Sequence, residues 1–95
     1  MDFKTFKASI IHNAPPEGIA RALQALWHEA KGDWDAAHKL AQAQDDKAGA
    51  WVHAYLHRVE GDTANAGGWY RRAGKPASST PLNEEWDEIA SALLR

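Results

Sequence analysis

Two stretches decide how this chain folds: Leu26-Trp27-His28-Glu29-Ala30-Lys31-Gly32-Asp33-Trp34-Asp35-Ala36-Ala37-His38-Lys39-Leu40 and Leu56-His57-Arg58-Val59-Glu60-Gly61-Asp62-Thr63-Ala64-Asn65-Ala66-Gly67-Gly68-Trp69. Each sets a helix-like segment before Gly-Asp and an Ala-bearing segment after it. Glycine can adopt the left-handed backbone that ends a helix, and an aspartate just beyond it can accept hydrogen bonds from the free amides that open the next. Gly32 and Gly61 stand 29 residues apart, and a unit of that size written twice predicts stacked helix pairs. The pattern speaks to architecture and says little about chemistry.

Working outward from these junctions, Ile19, Leu23, Leu26 and Ala30 form one apolar stripe, with Arg21, Gln24 and His28 on the other side. With Ala37, Leu40, Ala41 and Gln44 on the returning helix, a first hairpin is expected over residues 17–44. Asp46 suits the cap of a third helix, in which Trp51, Val52, Tyr55, Leu56 and Val59 fill a broad arc that Ala50 and Ala54 extend. Such a helix belongs in the middle of the molecule. Thr63 to Ala73, stopped by Gly74 and Pro76, completes a second hairpin over 47–74. Within it Gly67-Gly68 weakens the helix interior, which predicts either a bend or a close backbone approach.

Both ends read as additions to this pair. Phe3, Phe6 and Ile10 suit a short helix within 1–12 with Asp2 as its cap, broken by the prolines that end His12 to Pro16. Thr80-Pro81 is a helix start, Glu84 and Glu85 complement its positive end, and Trp86, Ile89, Ala90 and Leu93 give a clean stripe. This segment, 80–94, is expected to cap the open end of the stack. Trp27, Trp34, Trp51, Trp69 and Trp86 fall one per helix, an aromatic anchor for each interface. The expected fold is therefore all-α: a single domain over 1–95 of two stacked antiparallel hairpins flanked by an N-terminal helix and a C-terminal capping helix.

Composition narrows the function classes. A chain of 95 residues buries roughly 60% of its unfolded surface, enough for one modest core. Without cysteine, disulfides, thiolate metal sites and a cysteine nucleophile are excluded. A net charge of −2 creates no field that would gather nucleic acid or anionic lipid, so neither a nucleic-acid nor a membrane partner is expected. Lys4, Lys7 and Asp2 interrupt the first ten residues, and no later stretch is apolar enough to span a bilayer. The expectation is a soluble, cytoplasmic protein.

The hairpin unit resembles a tetratricopeptide repeat, though at 29 residues it is shorter than that family's period of about 34. The likeness rests on small Ala25 and Ala54, Gly32 and Gly61 at the turns, Ala37 and Ala66 on the second helices, and Pro76 after the second copy. A narrower run, Trp51-Val52-His53-Ala54-Tyr55-Leu56-His57-Arg58 with Glu60-Gly61-Asp62, Asn65-Ala66 and Trp69-Tyr70-Arg71-Arg72-Ala73-Gly74, is similar to that of a group of small uncharacterised proteins and implies a fold without an activity. The tetratricopeptide resemblance implies a concave wall bearing Trp51, Tyr55 and Arg58, a candidate surface for a protein or peptide partner.

The candidate chemistry lies on the second hairpin. His53, His57 and Glu60 share one helix face, and Asn65, Trp69 and Arg72 share one on the next helix. Folding back at Gly61-Asp62 sets Glu60 near Asn65, His57 near Trp69 and His53 near Arg72, an internal polar network or a pocket for a small anionic or carbonyl ligand. Imidazoles four apart can share a metal, but a divalent ion would need a further ligand such as His38 or His28, and no sequence signal brings either close. The histidines are therefore read as holding helices in register, with no metal and no cofactor. No nucleophile constellation, acid–base pair or phosphate loop stands out, so an enzyme is not the expected class. The first functional expectation is a small tetratricopeptide-like scaffold that binds a protein or peptide, or pairs with itself as a homodimer. The alternative is a small-molecule or metal-binding protein, enzymatic or not, that uses the His/Glu/Arg cluster.

Overall fold

Four aspartates open four of the helices. In the computed structural model, which describes residues 1–95, the carboxylates of Asp2, Asp33, Asp46 and Asp62 accept from the backbone N–H groups of Thr5, Ala36, Gly49 and Asn65 at 2.8, 3.1, 2.8 and 3.2 Å. Each such cap stabilises its helix by about 1 kcal/mol. They begin α1 (Phe3–Ala8), α3 (Trp34–Ala43), α4 (Lys47–Val59) and α5 (Thr63–Ala73). A 3₁₀ turn over Ser9–Ile11 follows α1, α2 spans Arg21–Ala30, and α6 spans Leu82–Leu93. The chain has six α-helices and no strand.

The repeated junction repeats in its hydrogen bonds as well. Gly32 and Gly61 sit at φ +87° and +86°. Their N–H groups donate to the carbonyls of Glu29 and Arg58, and those of Asp33 and Asp62 donate to His28 and His57, both at 2.9 Å. Carbonyls that would be orphaned at the helix ends are thereby satisfied.

Two boundaries differ from the sequence expectation. Helix α2 starts at Arg21 rather than near Glu17, because Pro15, Pro16 and a left-handed Gly18 at φ +79° keep the preceding chain out of the helix. Its first turn has no side-chain cap of its own, and Gln44 supplies one from 22 positions away, its Oε1 accepting from Ala22 N–H at 2.7 Å. Helix α6 starts at Leu82, with Pro81 just outside. At Gly67-Gly68 α5 runs unbroken, and a Cβ at either position would meet only the Arg71 guanidinium at 3.8 Å. The glycine elsewhere that does need its bareness is Gly49, where a Cβ would lie 1.8 Å from the Gln44 carbonyl oxygen.

Helix α4 occupies the centre, buried without interruption from Gly49 to His57 and packed on α2, α3, α5 and α6. Helix α1 packs through Phe6, fully buried and stacked on Trp86 at 5.7 Å. Three buried or half-buried indoles stitch distant elements together: Trp27 Nε1 donates to Ser9 O at 3.3 Å, Trp34 Nε1 to Leu56 O at 2.8 Å and Trp86 Nε1 to Leu26 O at 3.0 Å. Glu85, 1% exposed, fixes α6 by accepting from Arg58 at 2.8 Å and from the Tyr70 hydroxyl. The molecule measures 33 × 25 × 25 Å, and no helix is long and apolar enough to cross a membrane.

Candidate functional site: a histidine cluster on α3 and α4

His53 and His57 lie one turn apart on α4, with their rings stacked at 4.9 Å. Both are buried, at 3% and 7% exposure, on a helix otherwise given to the core. His38 reaches them from α3, edge-on to His53 at 4.6 Å and to His57 at 5.3 Å. One ring nitrogen from each of the three lies within 4.8 Å of the other two. His38 is half-buried and forms the open side of the cluster.

Aromatic rings hold these imidazoles in place. Trp34, one turn before His38 on α3, stacks on it at 4.8 Å and meets His57 edge-on at 5.8 Å. From α5, Trp69 stacks on His53 at 3.7 Å, with the Arg72 guanidinium 4.7 Å above the indole. Flat faces on both sides leave the rings little freedom to swing.

The hydrogen bonds set which nitrogens are available. His53 Nε2 and His38 Nε2 lie 2.9 Å apart, so one carries the shared proton and the other accepts it. His57 Nδ1 lies 2.6 Å from Glu60 Oε1 and donates to that carboxylate, which leaves the His57 Nε2 lone pair unengaged by it. Burial, followed by the neighbouring His38, His57 and Arg72, pushes the His53 pKa down to about 4. Burial and His57 lower that of His38 as well. Both rings are neutral at pH 7, the state in which imidazole acts as a hydrogen-bond acceptor or ligand.

The structure brings together some of the expected site residues and leaves others apart. His53, His57, Glu60, Trp69 and Arg72 surround one locus, but in a different pairing from that expected. Trp69 faces His53 rather than His57, and Arg72 lies over Trp69 rather than against His53. The hairpin is symmetric about Gly61, and His53 and Trp69 are each eight positions from it, so they meet at one level. Asn65 is exposed at the start of α5, where its backbone N–H serves the Asp62 cap. Arg72 is largely exposed and its other neighbour is Asp45 at 3.6 Å.

Trp51, Tyr55 and Arg58 are taken up by contacts within the chain. Tyr55 is 2% exposed and its hydroxyl donates to Glu29 on α2 at 3.1 Å. Arg58 binds Glu85 and the Thr80 carbonyl, and the Lys75 ammonium lies 4.3 Å from the centre of the Trp51 ring. Trp27, an expected aromatic anchor, is buried.

His38 and Trp34 complete the cluster without any sequence reading having placed them there. A signal for them exists: Trp34 and His38 are one turn apart, and an anchoring Trp34 turns that face of α3, His38 included, toward α4. Comparison with protein-family models, with curated proteins and with solved structures found no match.

Proposed function

We propose that this chain is a small ligand-binding protein of tetratricopeptide-like build, whose working site is the cluster of His38, His53 and His57 with Glu60, Trp69 and Arg72. The observation that carries the reading is the convergence of three imidazoles on the most buried helix of the molecule. Burying groups that would otherwise be charged in mild acid lowers stability, and a fold retains such an arrangement most readily where it serves a task. The tetratricopeptide-like build is supported by the two matching Gly-Asp junctions and by α4 packing on both α2 and α6, as successive first helices of a repeat array do.

Replacing His53 by Leu separates a binding site from a mere structural network. Under the binding reading, His53→Leu keeps or raises the midpoint of urea unfolding at neutral pH, because an apolar side chain suits the helix better. A loss above about 1.5 kcal/mol would instead identify the histidines as stabilising partners across the helices.

A second reading, docking of a protein partner or a second copy, is favoured by one observation. Exposed Leu82 lines an open cavity of about 320 Å³ with Ile10, Tyr55 and Trp86, and Ile11, next to Ile10 in the chain, is 84% exposed. A solution mass twice that of the chain, returning to one chain in Ile11→Ser or Leu82→Ser, would support this reading.

A further inference from the structure

The same cluster has the makings of a metal centre, an inference that rests on the binding reading above. We propose that His38, His53 and His57 together bind one divalent transition-metal ion of the zinc, cobalt, nickel or copper class, each through a single ring nitrogen.

The donor set selects the class. Three imidazoles suit these borderline ions, whereas calcium and magnesium require a shell of oxygen ligands that three ring nitrogens do not supply. Distances fit as well. In a tetrahedral site with metal–nitrogen bonds of about 2.0–2.1 Å, ligand nitrogens stand about 3.4 Å apart. His38 and His53 present Nε2 atoms 2.9 Å apart, and the third ring lies inside the same 4.8 Å limit, so small ring rotations reach that geometry. The ion takes the place of the proton shared between the two Nε2 atoms, and the ring that carried it bears its proton on Nδ1 instead.

His57 is oriented for the same purpose. Its Nδ1–H is held by the Glu60 carboxylate at 2.6 Å, the arrangement in which a carboxylate fixes a ligating histidine and raises the basicity of its other nitrogen. Glu60 and Asp62 offer carboxylate oxygens within 4.8 Å of a His57 nitrogen and of one another, so negative charge stands behind the His57 ring. Trp34 and Trp69, stacked on His38 and His53, keep the rings aimed without adding donors. Three protein ligands leave the fourth position to water or to a small ligand, and half-buried His38 marks the side from which either arrives.

The test uses the tag-free full chain, stripped with a chelator, and titrates Zn²⁺ by calorimetry and Co²⁺ by visible absorption. The expected result is one ion per chain and the intense visible bands of tetrahedral Co²⁺. His38→Gln, on the open side and least able to disturb the core, should weaken binding by more than tenfold with its circular dichroism unchanged. Glu60→Gln, which leaves all three ligands in place, should weaken it by about tenfold. Absence of saturable binding, or binding of equal strength in a folded His38→Gln chain, overturns the metal centre. A parallel thermal-shift series with acetate, phosphate and pyruvate separates the two readings. If one of these raises the melting temperature while Zn²⁺ and Co²⁺ do not bind, the metal inference falls and the binding site stands; if nothing binds, both fall.

Discussion

Glu29 sits half-buried on α2, where the Tyr55 hydroxyl is its hydrogen-bond donor at 3.1 Å. Burial raises its carboxyl above the ordinary 4.5. A carboxyl whose folded pKa lies above its unfolded value supports the fold below pH 4.5, and that support is lost as the pH rises through the folded value. Glu29→Gln should therefore stabilise the chain by about 0.5 kcal/mol at pH 7 and have no such effect at pH 4, as read from urea unfolding at the two values. His53 runs the opposite way. Its folded pKa of about 4 lies below the ordinary 6.5, so the unfolded chain takes up a proton that the folded chain refuses. Metal-free protein should lose stability as the pH falls from 6.5 toward 4, and His53→Leu should flatten that part of the profile.

At the scale of the helices, two glycines with opposite roles make a paired prediction. Gly49 lets α4 pass against the end of α3, and an added Cβ would lie 1.8 Å from the Gln44 carbonyl oxygen. Gly49→Ala should cost about 3 kcal/mol, because the backbones at that crossing have to part. Gly67 on α5 meets nothing closer than 3.8 Å, so Gly67→Ala should gain about 1 kcal/mol from helix propensity alone. Thermal denaturation of both variants checks the contrast. Sequence reasoning found what local chemistry dictates: the caps at Asp2, Asp33 and Asp46, the two glycine turns, and the apolar circumference that sends α4 to the centre. It missed what depends on contacts between separate segments. Gln44 reaching back to open α2 and Gly49 at the crossing leave no periodic trace, and His38 beside His53 carries only its one-turn spacing from Trp34, because each owes its role to a neighbour elsewhere in the chain. The mispaired stripes of the second hairpin have the same origin, since spacing along each helix is fixed locally and the level at which two helices meet is not.

Across the whole molecule, a buried carboxylate helps to tie down α6. Glu85 reads in sequence as a charge complementing a helix start, yet it is 1% exposed between Arg58 on α4 and Tyr70 on α5. Glu85→Ala strands the Arg58 guanidinium and should lower stability by about 3 kcal/mol in urea unfolding, while Glu85→Gln, whose carbonyl oxygen still accepts from Arg58 and whose amide N–H can donate to the Tyr70 oxygen, should lose less. The indoles offer an independent view of the same assembly. Trp27 bridges the 3₁₀ turn to α2, Trp34 joins α3 to α4, Trp69 stacks on His53 between α5 and α4, and Trp86 joins α6 to α2, so these seams each carry a fluorophore. Replacing four of the five tryptophans by Phe in turn would give emission traces that date the opening of each seam, and would reveal whether the chain comes apart all at once or sheds its ends first.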